Sequence, residues 1–178
     1  MKQLLPVALA AIALGHSTSA PAQDLVPGQA AGFVDRFCET LVPAVADYDP
    51  NASGAWPPDD PAVFGPLVTA DLAAMIENAL AHNAAFENET GGKGLLGDGV
   101  PWTSVQDAAS DCTAGAIVET SASAEVAVRY SYADAPGEGW SDKLILTQDG
   151  EKWHLEDIRY GEDGRTSLRA VLAQALEQ

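Results

Sequence analysis

A change of hydrophobic period at Cys112 constrains this chain more than any other feature. Before it, apolar side chains recur at helical spacing; after it, they alternate. Phe33, Val34, Phe37, Cys38 and Leu41 mark one face of a helix over residues 29 to about 42, which Pro43 ends. Leu72, Met75, Ile76, Ala79, Leu80 and Phe86 mark a second, running from residue 67 to about 86, with Thr69 as its cap and Asp71 in its first turn. The proline-bearing stretch 44–65 has no period, and the glycine-rich stretch 87–111 reads as irregular with at most a short helical turn. Beyond Cys112, residues 114–121, 125–132, 140–148 and 152–160 alternate or are rich in β-branched and aromatic side chains. Asp149-Gly150 is a hairpin turn. Thr166 or Ser167 then caps a last helix striped by Leu168, Val171, Leu172, Ala175 and Leu176. The predicted fold is α+β: N-terminal helices packed on a four-stranded antiparallel sheet, followed by a C-terminal helix.

The N-terminus reads as an address. Lys2 precedes an apolar stretch over residues 4–14, broken by Pro6 and too short to cross a bilayer as a helix. Ala20-Pro21-Ala22 offers the small side chains that a signal peptidase accepts, so residues 1–22 are expected to be a cleaved signal peptide and 23–178 a single domain. The expected location is outside the cytoplasm, in a bacterial periplasm or extracellular. Asn51-Ala52-Ser53 and Asn88-Glu89-Thr90 would be glycan acceptors only on a eukaryotic route. In an oxidising compartment two thiols form a bridge more often than a metal site, and two cysteines allow one pairing, Cys38 with Cys112. On the chain-entropy view, closing that loop stabilises the fold by about 4 to 5 kcal/mol.

Charge narrows the partners. The formal net charge is −17 and the pI about 4.2, which repels nucleic acid and anionic membrane surfaces. With 47% hydrophobic residues the chain is too apolar for an acidic disordered tail. Residues 23–111 hold 14 acidic and 2 basic side chains, against 12 and 6 in residues 112–178. A cationic partner is therefore expected to meet the loop around residues 47–60, and no membrane span is expected after processing.

The C-terminal third carries more specific residues: Leu144-Ile145-Leu146, Asp149-Gly150, Trp153-His154-Leu155-Glu156-Asp157-Ile158-Arg159-Tyr160, then Gly164 and Ser167-Leu168-Arg169. Upstream stand Leu67, Asp71-Leu72, Leu96-Gly97-Asp98-Gly99-Val100-Pro101 and Gln106-Asp107. Over residues 32–172 this pattern resembles the bacterial exported family called domain of unknown function 3828. The resemblance implies a cone-shaped fold similar to nuclear transport factor 2 and the cystatin-like proteins, in which a curved sheet wraps a helix and leaves a cavity. It implies no activity. The stretches 44–65 and 87–92 are longer than the resemblance requires.

Few residues point to chemistry. In Trp153-x-Leu155-x-x-Ile158-x-Tyr160 the apolar positions switch parity, which predicts a bulge at Glu156-Asp157. A bulge could turn Asp157 into a cavity as a general base; the alternative is that it accepts backbone hydrogen bonds or pairs with Arg159 or Arg169. Trp153, Tyr160, Tyr130 and Trp102 are the candidate pocket-lining residues, with Trp140 and Tyr132 beside them. Asp47, Asp49 and Asn51 match the opening ligands of a calcium loop, but Ala52 and Pro58 stand where the glycine and glutamate belong. His82 and His154 are the only histidines after residue 22, too few for a zinc site without the cysteines. No His-Glu-x-x-His, Gly-x-Ser-x-Gly, Ser-x-x-Lys or phosphate-cradling glycine loop occurs, and no cofactor is expected. The expected function is an exported non-catalytic module that binds a small ligand or protein partner through a cone cavity or its rim. The alternatives are an acidic inhibitor or immunity-type protein covering a basic exported enzyme, and an isomerase- or dehydratase-like enzyme using Asp157.

Overall fold

The structure is a computed structural model, and it describes residues 29–42, 56–105, 109–135 and 137–178. Helix α1 (Gln29–Leu41) buries Ala30, Phe33, Val34, Phe37 and Leu41, the face its spacing predicts. A 3-10 turn (Pro57–Asp59) and a one-turn helix α2 (Pro61–Phe64) follow, a departure from the irregular loop expected there. Local chemistry explains α2: Pro61 sits at its start, where a missing N–H costs nothing, and the Asp60 carboxylate accepts a bond from Ala62 N at 2.8 Å. Helix α3 (Ala70–Thr90) has Thr69 as its cap and runs past Phe86 until Gly91, at φ 65, ends it. That left-handed backbone suits glycine and stops a helix whose residues 87–90 carry no breaker of their own.

Strands β1 (Asp111–Glu119), β2 (Ser123–Ser131), β3 (Gly139–Asp149) and β4 (Lys152–Tyr160) form an antiparallel meander. A fifth strand, β5 (Thr166–Ser167), pairs with Arg159 and Tyr160, so the sheet has five strands and not four. The extra strand arises because Ser167 is extended before it caps helix α4 (Leu168–Ala175), and that backbone lies alongside the end of β4. Ile145 faces Asp157 while Leu146 faces Leu155, which leaves Glu156 as the extra residue of the predicted bulge. Residues 67–69 complete the edge of β4 at Leu155, with Leu155 N donating to Leu67 O and Thr69 N to Leu155 O. The first residues of β4, Lys152 to His154, therefore have only β3 beside them among the described residues.

One face of the sheet is the core. Ala124, Val126, Val128 and Tyr130 of β2, Leu144 and Leu146 of β3, and Trp153, Leu155 and Ile158 of β4 point into it. Helix α1 crosses β1, β2 and β4 over this face, and α4 packs on β4 and α3. Each fully buried Leu or Ile stabilises the fold by roughly 1.5–3 kcal/mol. The Cys38–Cys112 disulfide, with 5.7 Å between Cα atoms, ties α1 to β1. No described helix is long and apolar enough to cross a membrane.

Candidate functional site

Strand β3 carries the least expected residue of the molecule. Leu144 and Leu146 face the core, and by the period of two Asp142 faces it too, with none of its surface exposed. Burying a carboxylate is costly unless its oxygens are bonded. Here Oδ2 accepts from Ser104 N and Oδ1 from Gly161 N, both at 2.8 Å. The carboxylate thus pins two loops, the one ahead of β1 and the one after β4, to the sheet.

Around Asp142 the chain gathers its aromatic residues. Tyr130, paired with Trp140 across β2 and β3, stacks on it at 5.1 Å between ring centroids. Tyr160 donates its hydroxyl hydrogen to the carbonyl of Pro101, and Trp102 lies 6.0 Å from Phe64. Burial first, then the negative charge of Asp142, pushes both tyrosine hydroxyls well above their ordinary value of 10.0. They stay neutral at physiological pH and are poor bases. Three of the four candidate pocket residues, Tyr130, Tyr160 and Trp102, thus belong to this end of the sheet. Trp153 lies at the other end of β4.

Asp157 sits at the bulge as expected, and its Oδ1 accepts from Ile158 N at 2.9 Å and from Arg169 N at 3.0 Å. That second bond satisfies a free amide in the first turn of α4. Beside it, Arg169 donates to Glu156 O, Glu156 Oε1 and Asp71 Oδ2, clasping the bulge, α4 and α3 together. The carboxylate works as a helix clamp and lines none of the three concavities described below. Asp47, Asp49 and Asn51 lie outside the described residues, and no described cluster of three or more His, Cys, Asp or Glu could hold a metal ion.

Three concavities open on the described surface. One of about 570 Å³ lies over the ends of β1, β2 and β3, lined by Asp111, Glu138 and Glu162 with Trp140, Ser141 and Arg129. A second, of about 610 Å³, lies between α3 and the loop before Val100. Its walls are tied: Asn83 Oδ1 accepts from Leu96 N, Glu87 Oε1 accepts from Gly94 N, and Asp59 Oδ1 accepts from Val100 N. Gly94 is required there, since a Cβ would stand 2.1 Å from Asn83 Oδ1. Burial raises the Asp59 carboxyl above 3.8, against the Val100 amide and the Trp102 side chain, which pull it down. The third, of about 520 Å³, lies at the β3–β4 turn and is lined by Arg36, Lys152, Trp153 and His154 among others.

Sequence reading missed Asp142, and its signal was present: two residues before Leu144, it shares the inward parity of Leu144 and Leu146. The fold places the chain in the α+β class, with an antiparallel five-stranded sheet covered on one face by helices. Compared with protein-family models, curated proteins and solved structures, the chain matches none.

Proposed function

We propose that residues 23–178 form an exported, non-catalytic binding module with the cone-type fold of the family the sequence resembles, and that it meets a cationic partner at the rim. The observation that carries this reading is the 570 Å³ concavity over the ends of β1 to β3, a different place from the loop around residues 47–60 where the charge pattern puts a cationic partner and of which residues 47–55 lie outside the described residues. Three exposed carboxylates, Asp111, Glu138 and Glu162, line it against one base, Arg129, with the Trp140 ring as an apolar wall. A basic side chain of a protein partner fits that lining by charge and by contact with the indole. The disulfide supports export, since such bonds persist in oxidising compartments. The helices-sheet-helix order supports the cone fold. An inhibitor or immunity-type role, covering a basic exported enzyme, is the same surface read with a specific partner. The isomerase reading has less support, because the Asp157 carboxylate holds α4 and lines none of the three concavities.

The test is capture from an extract of exported proteins at low and at high salt, with the native chain, Glu138→Lys/Glu162→Lys, and Asp98→Lys as a control away from the concavity. Capture of a basic protein that weakens with salt, is lost in the double variant and survives in the control supports the reading. Capture indifferent to salt or to the double variant contradicts it.

A further inference from the structure

In so acidic a chain, bases without carboxylate partners stand out. Of the basic side chains in the described residues, Lys93, Lys143, Arg159, Arg165 and Arg169 are ion-paired. Arg36, Lys152 and Arg129 form no ion pair among those residues; Arg129 lines the acidic concavity, and Arg36 and Lys152 both line the 520 Å³ groove at the β3–β4 turn. Gln29, Gly32 and Arg36 reach it from one face of α1, whose opening turn holds no acidic residue. The positive end of that helix dipole adds to the two cations.

Two residues of β4 complete the lining. Trp153 is 3% exposed, lines this groove, and its buried Nε1–H meets no acceptor; His154, also on the lining, has a buried Nδ1 with no partner. The guanidinium of Arg36 is held along the wall, its Nη1 donating to Gly32 O at 2.9 Å and its carbon 5.7 Å from the Phe33 ring centroid, which leaves its other N–H groups for a ligand. Leu67, Pro66 and the Trp153 ring supply apolar surface beside these donors.

We infer that this groove is a binding site for a small organic monocarboxylate with an apolar body. Its head would take hydrogen bonds from Arg36 and Lys152, and its body would lie on Leu67, Pro66 and the Trp153 ring. Glu151 on the lining, and the negative charge of the whole protein, penalise a dianion more than a monoanion. The volume falls within the range of small-molecule pockets. This site lies at the opposite end of the β3–β4 hairpin from the acidic concavity and does not depend on it.

The experiment is an NMR titration of the oxidised protein with benzoate, 3-phenylpropionate and octanoate, following the Trp153 indole N–H and the Gly32 and Lys152 amides. Expected are saturable shifts of those signals with at least one carboxylate and at least about tenfold weaker binding of 3-phenylpropionamide, the loss of a charged hydrogen-bond partner. Arg36→Gln/Lys152→Gln should weaken binding by about tenfold or more while its other signals stay in place, and Arg129→Gln should change nothing. Absence of saturable shifts with all three carboxylates, equal binding of the amide, or unchanged binding by the double variant would overturn the assignment. Inorganic phosphate binding as tightly as the carboxylates would overturn the choice of a monocarboxylate with an apolar body.

Discussion

The two ends of the β3–β4 hairpin use charge in opposite ways. Where β3 begins and β4 finishes, Asp142 is fully buried with both carboxylate oxygens bonded to loop amides, and Tyr160 is anchored to Pro101. Where β3 finishes and β4 begins, Arg36 and Lys152 form no ion pair among the described residues and stand beside a groove, whereas buried polar atoms without a partner occur at both ends, on Trp153 and His154 here and on Tyr130 and Trp140 there. At the first end, polar groups hold the architecture together. At the second, the two exposed cations tie no other element to the sheet, so substitution there should alter binding and change stability little.

The disulfide joins the structural end, because Cys112 faces Tyr130 across β1 and β2. Replacing both cysteines by alanine should lower stability by about 2–5 kcal/mol, measured by urea unfolding. A loss no larger than that of an exposed surface substitution would show that α1 is held on the sheet by packing alone. Asp157 sharpens the contrast by its place on the bulge: Asp157→Ala should cost about 1 kcal/mol through the freed Arg169 amide. Hydrogen exchange in the first turn of α4 should quicken while β1 to β3 stay protected. Uniform loss of protection would mean that Asp157 does more than hold that helix.

Asp59 gives the smallest effect, and it is read through pH. Burial raises its carboxyl above 3.8, so the folded chain holds this proton more tightly than the unfolded one. Its contribution to stability is therefore fully present below the ordinary value of 3.8 and is lost as pH climbs from there through the raised folded value. Asp59→Asn can keep the bond to Val100 N while removing the buried charge. Relative to the native chain, it should gain stability at pH 7 and lose that advantage at pH 3. A constant difference between the two chains across that range would assign the effect to packing rather than to charge.

Much of the fold was legible because local pattern and tertiary need agree. The 3.6 and 2 periods placed α1, α3, α4 and four strands, and the parity switch in β4 located the bulge at Glu156-Asp157, which the register narrows to Glu156. Strand β5 was not legible, since two residues have no period, and α2 rests on the capping of Asp60 within a stretch that reads as loop. The chemistry was harder for a different reason. Asp142 could be seen facing inward, but its donors, Ser104 and Gly161, lie 38 and 19 residues away, and only the closed fold brings them to it. Arg36 and Lys152 likewise meet through the packing of α1 against the β3–β4 turn. The sequence drew attention to Asp157, whose spacing was unusual, and the structure gives that carboxylate a clamping role.

The division between the two ends is tested most directly by urea unfolding of Asp142→Ala beside Arg36→Gln/Lys152→Gln. Losing two charge-assisted bonds to buried amides should cost Asp142→Ala about 3 kcal/mol or more, whereas the double variant at the groove should stay within about 0.5 kcal/mol of the native protein. Equal losses, or a larger loss in the double variant, would contradict the account.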